Sequence, residues 1–211
     1  MEAEAGKAVF EITEESMEIR TFLNFLSVAE KLKCNTRHSR TSSGRHESVA
    51  EHSWRLALMA YLLRDTFPEI DMDRVITMCL IHDLGEAVTG DIPAFVKTEQ
   101  DEAVESNAVE QLAALLPERE KSSFTELFAE MEERRTQEAK LYKSLDKLEA
   151  LIQHNEADLS TWLPLEYDLQ MTYGTQECAF SEYTKKLRDV VREDSARKVQ
   201  EGSAKEKTAD E

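Results

Sequence analysis

Two histidines and two aspartates of this chain could together hold a metal ion. His82 and Asp83 are adjacent, while His52 precedes them and Asp146 follows them at a distance in sequence. Imidazole nitrogen and carboxylate oxygen suit Mn, Fe, Co, Ni or Zn. The set contains no cysteine, which argues against a structural zinc site. If the fold brings these four side chains together, they predict a site for one divalent metal.

The residues around His82 fit one face of a helix. Val75, Cys79, His82 and Glu86 follow one another at steps of four, three and four residues, which places them on one helical stripe. This stripe is largely apolar, so His82 is expected to face the core. A hydrogen-bonded core histidine without a metal is the alternative for this position.

His52 and Asp146 also lie close to apolar helical stripes. His52 stands between Val49 and Leu56, and Asp146 directly follows Leu145 in a long predicted helix. A stripe at three- and four-residue spacing is typical of a helix packed on a core. For Asp146 the alternative is a surface ion pair with a neighbouring lysine.

The elements that must position these residues are predicted to be helices. Only six Gly and four Pro occur among 211 residues, too few for a chain of many short strands and tight turns. The fold class is therefore predicted to be all-α, a single irregular helical bundle. Helices are predicted over about 16–33, 49–67, 71–85, 101–116, 119–135, 136–155 and 176–193, with polar loops at 34–48 and 86–93.

Length and composition predict one domain with two polar ends. A chain of 211 residues fits a single domain. Residues 1–15 are expected to form an N-terminal extension and residues 16–193 the domain. Residues 194–211 contain almost nothing to bury and are predicted to be disordered.

The charge balance limits the partners of this protein. The formal net charge is −17, which disfavours a nucleic-acid or anionic membrane partner because both need a basic surface. A small phosphorylated substrate needs only a local cation and stays possible. The chain shows no signal peptide and no apolar run long enough to span a membrane. A cytoplasmic location is the prediction.

The order of these residues resembles a known family. His52, the His82-Asp83 pair and Asp146 are similar to the H…HD…D signature of the HD-domain metal-dependent phosphohydrolases. The segments 47–53, 81–86 and 90–93 resemble the 5′-deoxynucleotidase branch of that family. The resemblance covers about residues 20–190, and it implies an HD-domain fold and a homodimer.

The resemblance also implies roles for individual residues. His52, His82, Asp83 and Asp146 would bind one divalent ion, either Mn, Co, Mg, Fe or Zn. Glu86 would act as the acid or base beside Asp83 in catalysis. A salt-bridging loop carboxylate is the alternative for Glu86.

Three further residues correspond to the substrate contacts of that branch. Arg37 would hold the phosphate of the nucleotide, and Asp91 would contact its sugar. His38 follows Arg37 at a position where the branch often has an aromatic residue, typically Trp. The resemblance therefore does not predict whether the site selects deoxyribose over ribose.

These observations predict a metal-dependent phosphohydrolase that removes the 5′-phosphate from nucleoside monophosphates, with a nucleotide as its small-molecule partner. Another HD-type reaction is the first alternative, on a nucleoside triphosphate, a cyclic dinucleotide or a pyrophosphorylated guanosine. A non-catalytic helical module that binds metal or nucleotide is the second.

Overall fold

The computed structural model describes residues 17–209, and the side chains as far as residue 204. The predicted N-terminal extension, residues 1–15, lies outside the described residues. Helices dominate the structure, so the all-α prediction is confirmed. In chain order the helices are α1 (Ile19–Ala29), α2 (Val49–Leu62), α3 (Met72–Ile81), α4 (Glu86–Thr89), α5 (Glu99–Ala113), α6 (Glu118–Glu133), α7 (Gln137–Glu156), α8 (Pro164–Thr172), α9 (Thr175–Cys178) and α10 (Glu182–Ala209).

Local sequence explains where the two helices nearest the candidate site begin. Ser48 precedes α2, and its hydroxyl accepts a hydrogen bond from the backbone N–H of Glu51, whose carboxylate accepts one from the N–H of Ser48. This reciprocal pair satisfies two backbone donors that a helix start leaves open. Asp71 caps α3 because its side chain accepts a hydrogen bond from the backbone N–H of Arg74.

The core lies where α2, α3 and α7 pack against one another. Leu56 from α2, Val75 and Met78 from α3, and Leu145 and Leu148 from α7 are completely buried. Burying such a side chain stabilises the fold by roughly 1.5–3 kcal/mol. The candidate metal ligands therefore lie on, or directly after, the helices that form the core.

The segment 34–48 was predicted as a polar loop, and this prediction is wrong. Two antiparallel strands form there, β1 (Thr36–Arg40) and β2 (His46–Ser48), with a turn that contains Gly44 at a φ of +87°. The hairpin packs on α7, where the side-chain amide of Gln153 donates to the carbonyl oxygen of Arg40 over 2.7 Å. This contact positions the arginines of β1 beside the core helices.

The C-terminal segment also differs from the prediction. Residues 194–209, predicted to be disordered, continue α10 as far as Ala209. Ser195 is completely buried, and its hydroxyl donates to Asn155 Oδ1 over 2.8 Å and lies 3.4 Å from Gln170 Oε1. Polar contacts anchor this part of the helix, and its low apolar content therefore did not predict a helix.

Two shorter elements were missed as well. Residues 86–89 form the single turn α4 where a loop was predicted, and the helix α8, which begins at Pro164, was not predicted. Pro164 occupies the first turn of α8, a position where proline is well tolerated. Among the described residues, no helix is long and apolar enough to cross a membrane.

Candidate metal centre and adjoining cavity

The four predicted metal ligands converge where the three core helices meet. The distance from His52 Nε2 to Asp146 Oδ1 is 3.3 Å, and that from His82 Nε2 to Asp83 Oδ2 is 3.0 Å. Asp146 Oδ1 also lies 3.8 Å from His82 Nε2, and Asp83 Oδ2 lies 3.9 Å from His52 Nε2. Two nitrogens and two carboxylate oxygens thus surround one point.

Buried atoms without partners indicate that this point suits a cation. Within the described part of the chain, His82 Nε2 and Asp83 Oδ2 are buried and have no hydrogen-bond partner. A buried polar atom without a partner costs roughly 1–3 kcal/mol. A divalent ion would satisfy both atoms, and the donor set of two imidazoles and two carboxylates fits Mn, Fe, Co or Zn.

Both imidazoles are held in the tautomer that metal binding needs. The Nδ1–H of His82 donates to the carbonyl oxygen of Cys79 over 3.0 Å. The Nδ1 of His52 is hydrogen-bonded to Oε2 of Glu149, which is completely buried in α7. With Nδ1 hydrogen-bonded in this way, each Nε2 faces the cluster and would coordinate an ion that displaces any proton there, as is common for histidines that bind metals.

Glu149 was not predicted as a site residue. Its second oxygen, Oε1, accepts from Arg55 Nε over 2.6 Å. Burial raises the pKa of Glu149, but His52, Arg37 and Arg55 lower it more, so the carboxylate stays charged. Burial and Arg37 lower the pKa of His52, yet Glu149 and Asp146 raise it to about 9. The cluster therefore attracts positive charge to His52.

Asp146 takes part both in the metal cluster and in the ion pair with a lysine that the sequence left as its alternative. Its Oδ2 accepts from Lys143 Nζ over 2.8 Å, as the surface-pair alternative has it, while Oδ1 faces the two histidines. Burial raises the pKa of Asp146, but Lys143 and His52 hold it well below its usual range. One carboxylate thus serves an ion pair and the metal cluster together.

A cavity of about 490 Å³ adjoins the cluster, a volume typical of small-molecule sites. Its wall includes the predicted ligand Asp146 and four other residues that the sequence singled out, Arg37, His38, Glu86 and Asp91. All the predicted substrate contacts thus lie in the wall of one cavity.

Arg37 is a cationic residue of the cavity wall that also reaches the cluster. Its Nη1 lies 3.6 Å from Asp83 Oδ2, and its Nε lies 3.4 Å from Oε2 of Glu47. The Nε atom is buried and makes no hydrogen bond with the described residues, so Arg37 is held between the carboxylates of Glu47 and Asp83. Burial and the nearby Glu149 raise the pKa of Glu47 to about 7, although Arg37 opposes this shift.

Glu86 is almost fully buried at the start of α4. Burial, together with the neighbouring charges of Asp83 and Asp91, raises its pKa to about 10. Its Oε2 has no hydrogen-bond partner in the part of the chain that the structure describes. This environment differs from that of the salt-bridging loop carboxylate considered as the alternative.

A family comparison agrees with this geometry. The model of the HD domain family matches residues 29–188, which include the four converging ligands, Arg37 and the cavity wall. The chain belongs to the HD domain family. The predicted family is thereby confirmed.

Named relatives and solved structures of HD-domain proteins are similar to this chain. The human 5′-deoxynucleotidase HDDC2 is 35% identical over 144 residues, which cover 65% of this chain and 68% of the human protein. The 5′-deoxynucleotidase hdd1 of Schizosaccharomyces pombe is 33% identical over 165 residues, 70% of this chain and 81% of that protein. The crystal structure of a "predicted metal-dependent phosphohydrolase" from Magnetospirillum magnetotacticum MS-1 has a TM-score of 0.72 at 28% identity and covers 85% of this chain and 96% of that one.

Sequence reasoning missed several polar residues of this HD domain. Glu149 follows Asp146 by three residues on α7, so its helical spacing was the available signal. Glu47 begins the segment 47–53 that carries the resemblance, but it was given no role of its own. The ring of His154, which no site prediction above includes, contacts Glu166 in the cavity wall. Glu166 was not singled out at all.

Proposed function

We propose that this protein is a metal-dependent 5′-deoxynucleotidase that hydrolyses the 5′-phosphate ester of deoxynucleoside monophosphates. The observation that carries the proposal is the convergence of four metal-binding side chains at the edge of a cavity whose wall includes Arg37. The names of the human and fission-yeast relatives support the same substrate class.

His52, His82, Asp83 and Asp146 would hold the ion. When bound, a divalent metal supplies Lewis acidity that lowers the pKa of a coordinated water toward neutrality and offsets charge on phosphate oxygens. Glu149 and the carbonyl oxygen of Cys79 keep the two imidazole rings oriented for this purpose. The identity of the ion stays a prediction among Mn, Co, Mg, Fe and Zn.

Arg37 would bind the phosphate of the substrate. A phosphate dianion is repelled by a protein of net charge −17 unless a local cation attracts it. The guanidinium of Arg37 offers planar donors that match phosphate oxygens, and Arg37 lies in the cavity wall. Arg37 therefore orients the phosphate toward Asp83 and the rest of the cluster.

Glu86 and Asp91 would act on the remainder of the nucleotide. Glu86, in the cavity wall one turn after His82, would transfer a proton to the leaving 5′-oxygen or from the attacking water. Asp91, in the same wall, would accept a hydrogen bond from the sugar, and His38 would lie beside it. General acid–base assistance of this kind contributes roughly 10²–10⁴ to a rate.

A homodimer is part of the proposal. Helix α1 contains no buried residue, and Ile19, Phe22, Leu23 and Leu26 are all more than two-fifths exposed along one face. Contiguous exposed apolar surface of this kind is typical of an interaction site. We expect a second copy of the chain to cover it, which light scattering of the wild-type and Leu26→Glu proteins would test. The cytoplasmic location and the lack of a nucleic-acid partner stay predictions.

Two substitutions test the proposed activity. Asp83→Ala should lose the ion of the cluster and abolish phosphate release, because it removes a ligand and its charge. Arg37→Ala should keep the metal but raise KM for deoxyadenosine monophosphate. Asp73→Ala is the matched control, since Asp73 lies on α3 with its side chain 84% exposed and should retain metal and activity. A metal content in Asp83→Ala equal to that of the wild type, or an unchanged KM in Arg37→Ala, would contradict the assigned roles.

A further inference from the structure

A second group of potential ligands lies in the cavity wall apart from the metal cluster. His38 comes from β1, His154 from α7 and Glu166 from α8. Oε1 of Glu166 lies 3.0 Å from His38 Nε2 and 2.9 Å from His154 Nε2. Three elements that are distant in sequence thus direct two imidazoles and one carboxylate to one point.

We propose that His38, His154 and Glu166 form a second divalent-cation site, with Zn²⁺ as its best-matched ion. Two histidines and one glutamate are a ligand set that zinc accepts in proteins, with a fourth position open to water or a ligand. None of the three belongs to the cluster around His52, and only His38 is also a proposed substrate contact, so this proposal goes beyond the proposed function.

The geometry needs little adjustment to accept an ion. Two ligand atoms at 2.0–2.2 Å from a tetrahedral zinc ion lie about 3.3–3.6 Å apart. The observed contacts of Glu166 with His38 and His154 are 3.0 and 2.9 Å, so each imidazole must move by about half an ångström. The donor atoms of all three residues lie within 4.8 Å of one another.

The surrounding contacts orient the carboxylate and one imidazole. Oε2 of Glu166 accepts from the backbone N–H of Leu163 over 2.6 Å, which leaves Oε1 for the two rings. Ser39 Oγ lies 3.4 Å from His154 Nδ1. Burial raises the pKa of Glu166, but His154, the Leu163 N–H and His38 lower it more. The carboxylate is therefore ionised at neutral pH, as a metal ligand must be.

Metal stoichiometry of the full-length protein tests this site without reference to activity. Protein stripped by a chelator is dialysed against a buffered concentration of free Zn²⁺, and bound zinc per chain is measured by elemental analysis. Wild-type protein is expected to hold two ions, and His154→Gln and Asp146→Ala one each. His46→Gln is the matched control, because His46 lies on the same hairpin, exposed and outside both groups, and should hold two.

The outcomes separate this site from the catalytic one. If Asp146→Ala retains one ion and the double variant Asp146→Ala/His154→Gln retains none, the second site is supported, whatever the effect on phosphate release. If His154→Gln and Glu166→Gln both hold as many ions as the wild type, the proposal is wrong and the three residues form only a hydrogen-bonded cluster. Glu166→Gln keeps an acceptor for the Leu163 N–H, so it preserves the start of α8 if the histidine variant unfolds.

Discussion

Glu149 offers a sharp test of how the metal centre is held together. The substitution Glu149→Gln keeps the size of the side chain but replaces one carboxylate oxygen by an NH2 group. In the structure one oxygen accepts from His52 and the other from Arg55. The amide oxygen of Gln can serve only one of these donors, so its NH2 group must face the other.

Either orientation of the new amide weakens metal binding. If the NH2 group faces His52, Nδ1 must become an acceptor and the proton moves to Nε2, where it blocks coordination. If the NH2 group faces Arg55, two donors oppose each other beside a buried site. Loss of an outer partner of a metal-bound histidine typically lowers metal affinity by about 10–100-fold, which equals roughly 1.4–2.8 kcal/mol.

The assay is a competition between the protein and a chelator of known affinity for Mn²⁺ or Zn²⁺. The His154→Gln background is used for all variants so that only the catalytic ion is counted. Glu156→Gln is the control, because Glu156 lies on the same helix and accepts from Arg55 over 2.5 Å but is half exposed. An affinity that Glu149→Gln leaves within about twofold of the control would refute the proposed support of His52.

Three further predictions address catalysis, pH dependence and the C-terminal helix. Glu86→Gln should lower kcat by roughly 10²–10⁴ with bound metal retained; an unchanged kcat would exclude Glu86 as the acid or base. Burial raises the pKa of Glu130, but Arg74 and Thr136 lower it more. The ionised carboxylate should therefore stabilise the fold above the usual pKa of 4.5, and this stabilisation should be lost as the pH falls below 4.5. Glu130→Gln should therefore cost about 1 kcal/mol at pH 7 and progressively less in acid, measured by urea unfolding, and a pH-independent difference would contradict this. A chain ended at Asp194 should keep its turnover but unfold more easily by roughly 1–3 kcal/mol, because the partners of Ser195 lose their hydrogen bonds; equal stability would contradict this.

The metal ligands were predictable because they lie on or beside apolar helical stripes. His52 lies on the buried face of α2, and His82 directly follows α3. A polar histidine among apolar neighbours is easily recognised in the sequence. The order of the residues and their resemblance to the HD family supplied Asp83 and Asp146, which apolar spacing alone left open.

The parts that sequence analysis missed are stabilised by polar burial. In the hairpin, the buried residues include Ser39 and Glu47, so no alternation of apolar and polar residues marked the strands. The same reason applies to Ser195, which anchors a helix that was predicted to be disordered. Glu166 lies in the short helix α8 and contacts His38, which is distant in sequence. Only the tertiary fold brings the two residues together, so the sequence did not indicate the contact.

Phosphate release by the wild-type protein tests the central claim most directly. The protein is stripped of metal by a chelator, reloaded separately with Mn, Co, Mg or Zn, and given a panel of 5′-ribo- and deoxyribonucleotides. We predict metal-dependent release from deoxynucleoside monophosphates and little release without metal. Release only from triphosphates or cyclic dinucleotides would assign a different HD reaction. No release from any substrate would contradict the claim that the protein is a phosphohydrolase.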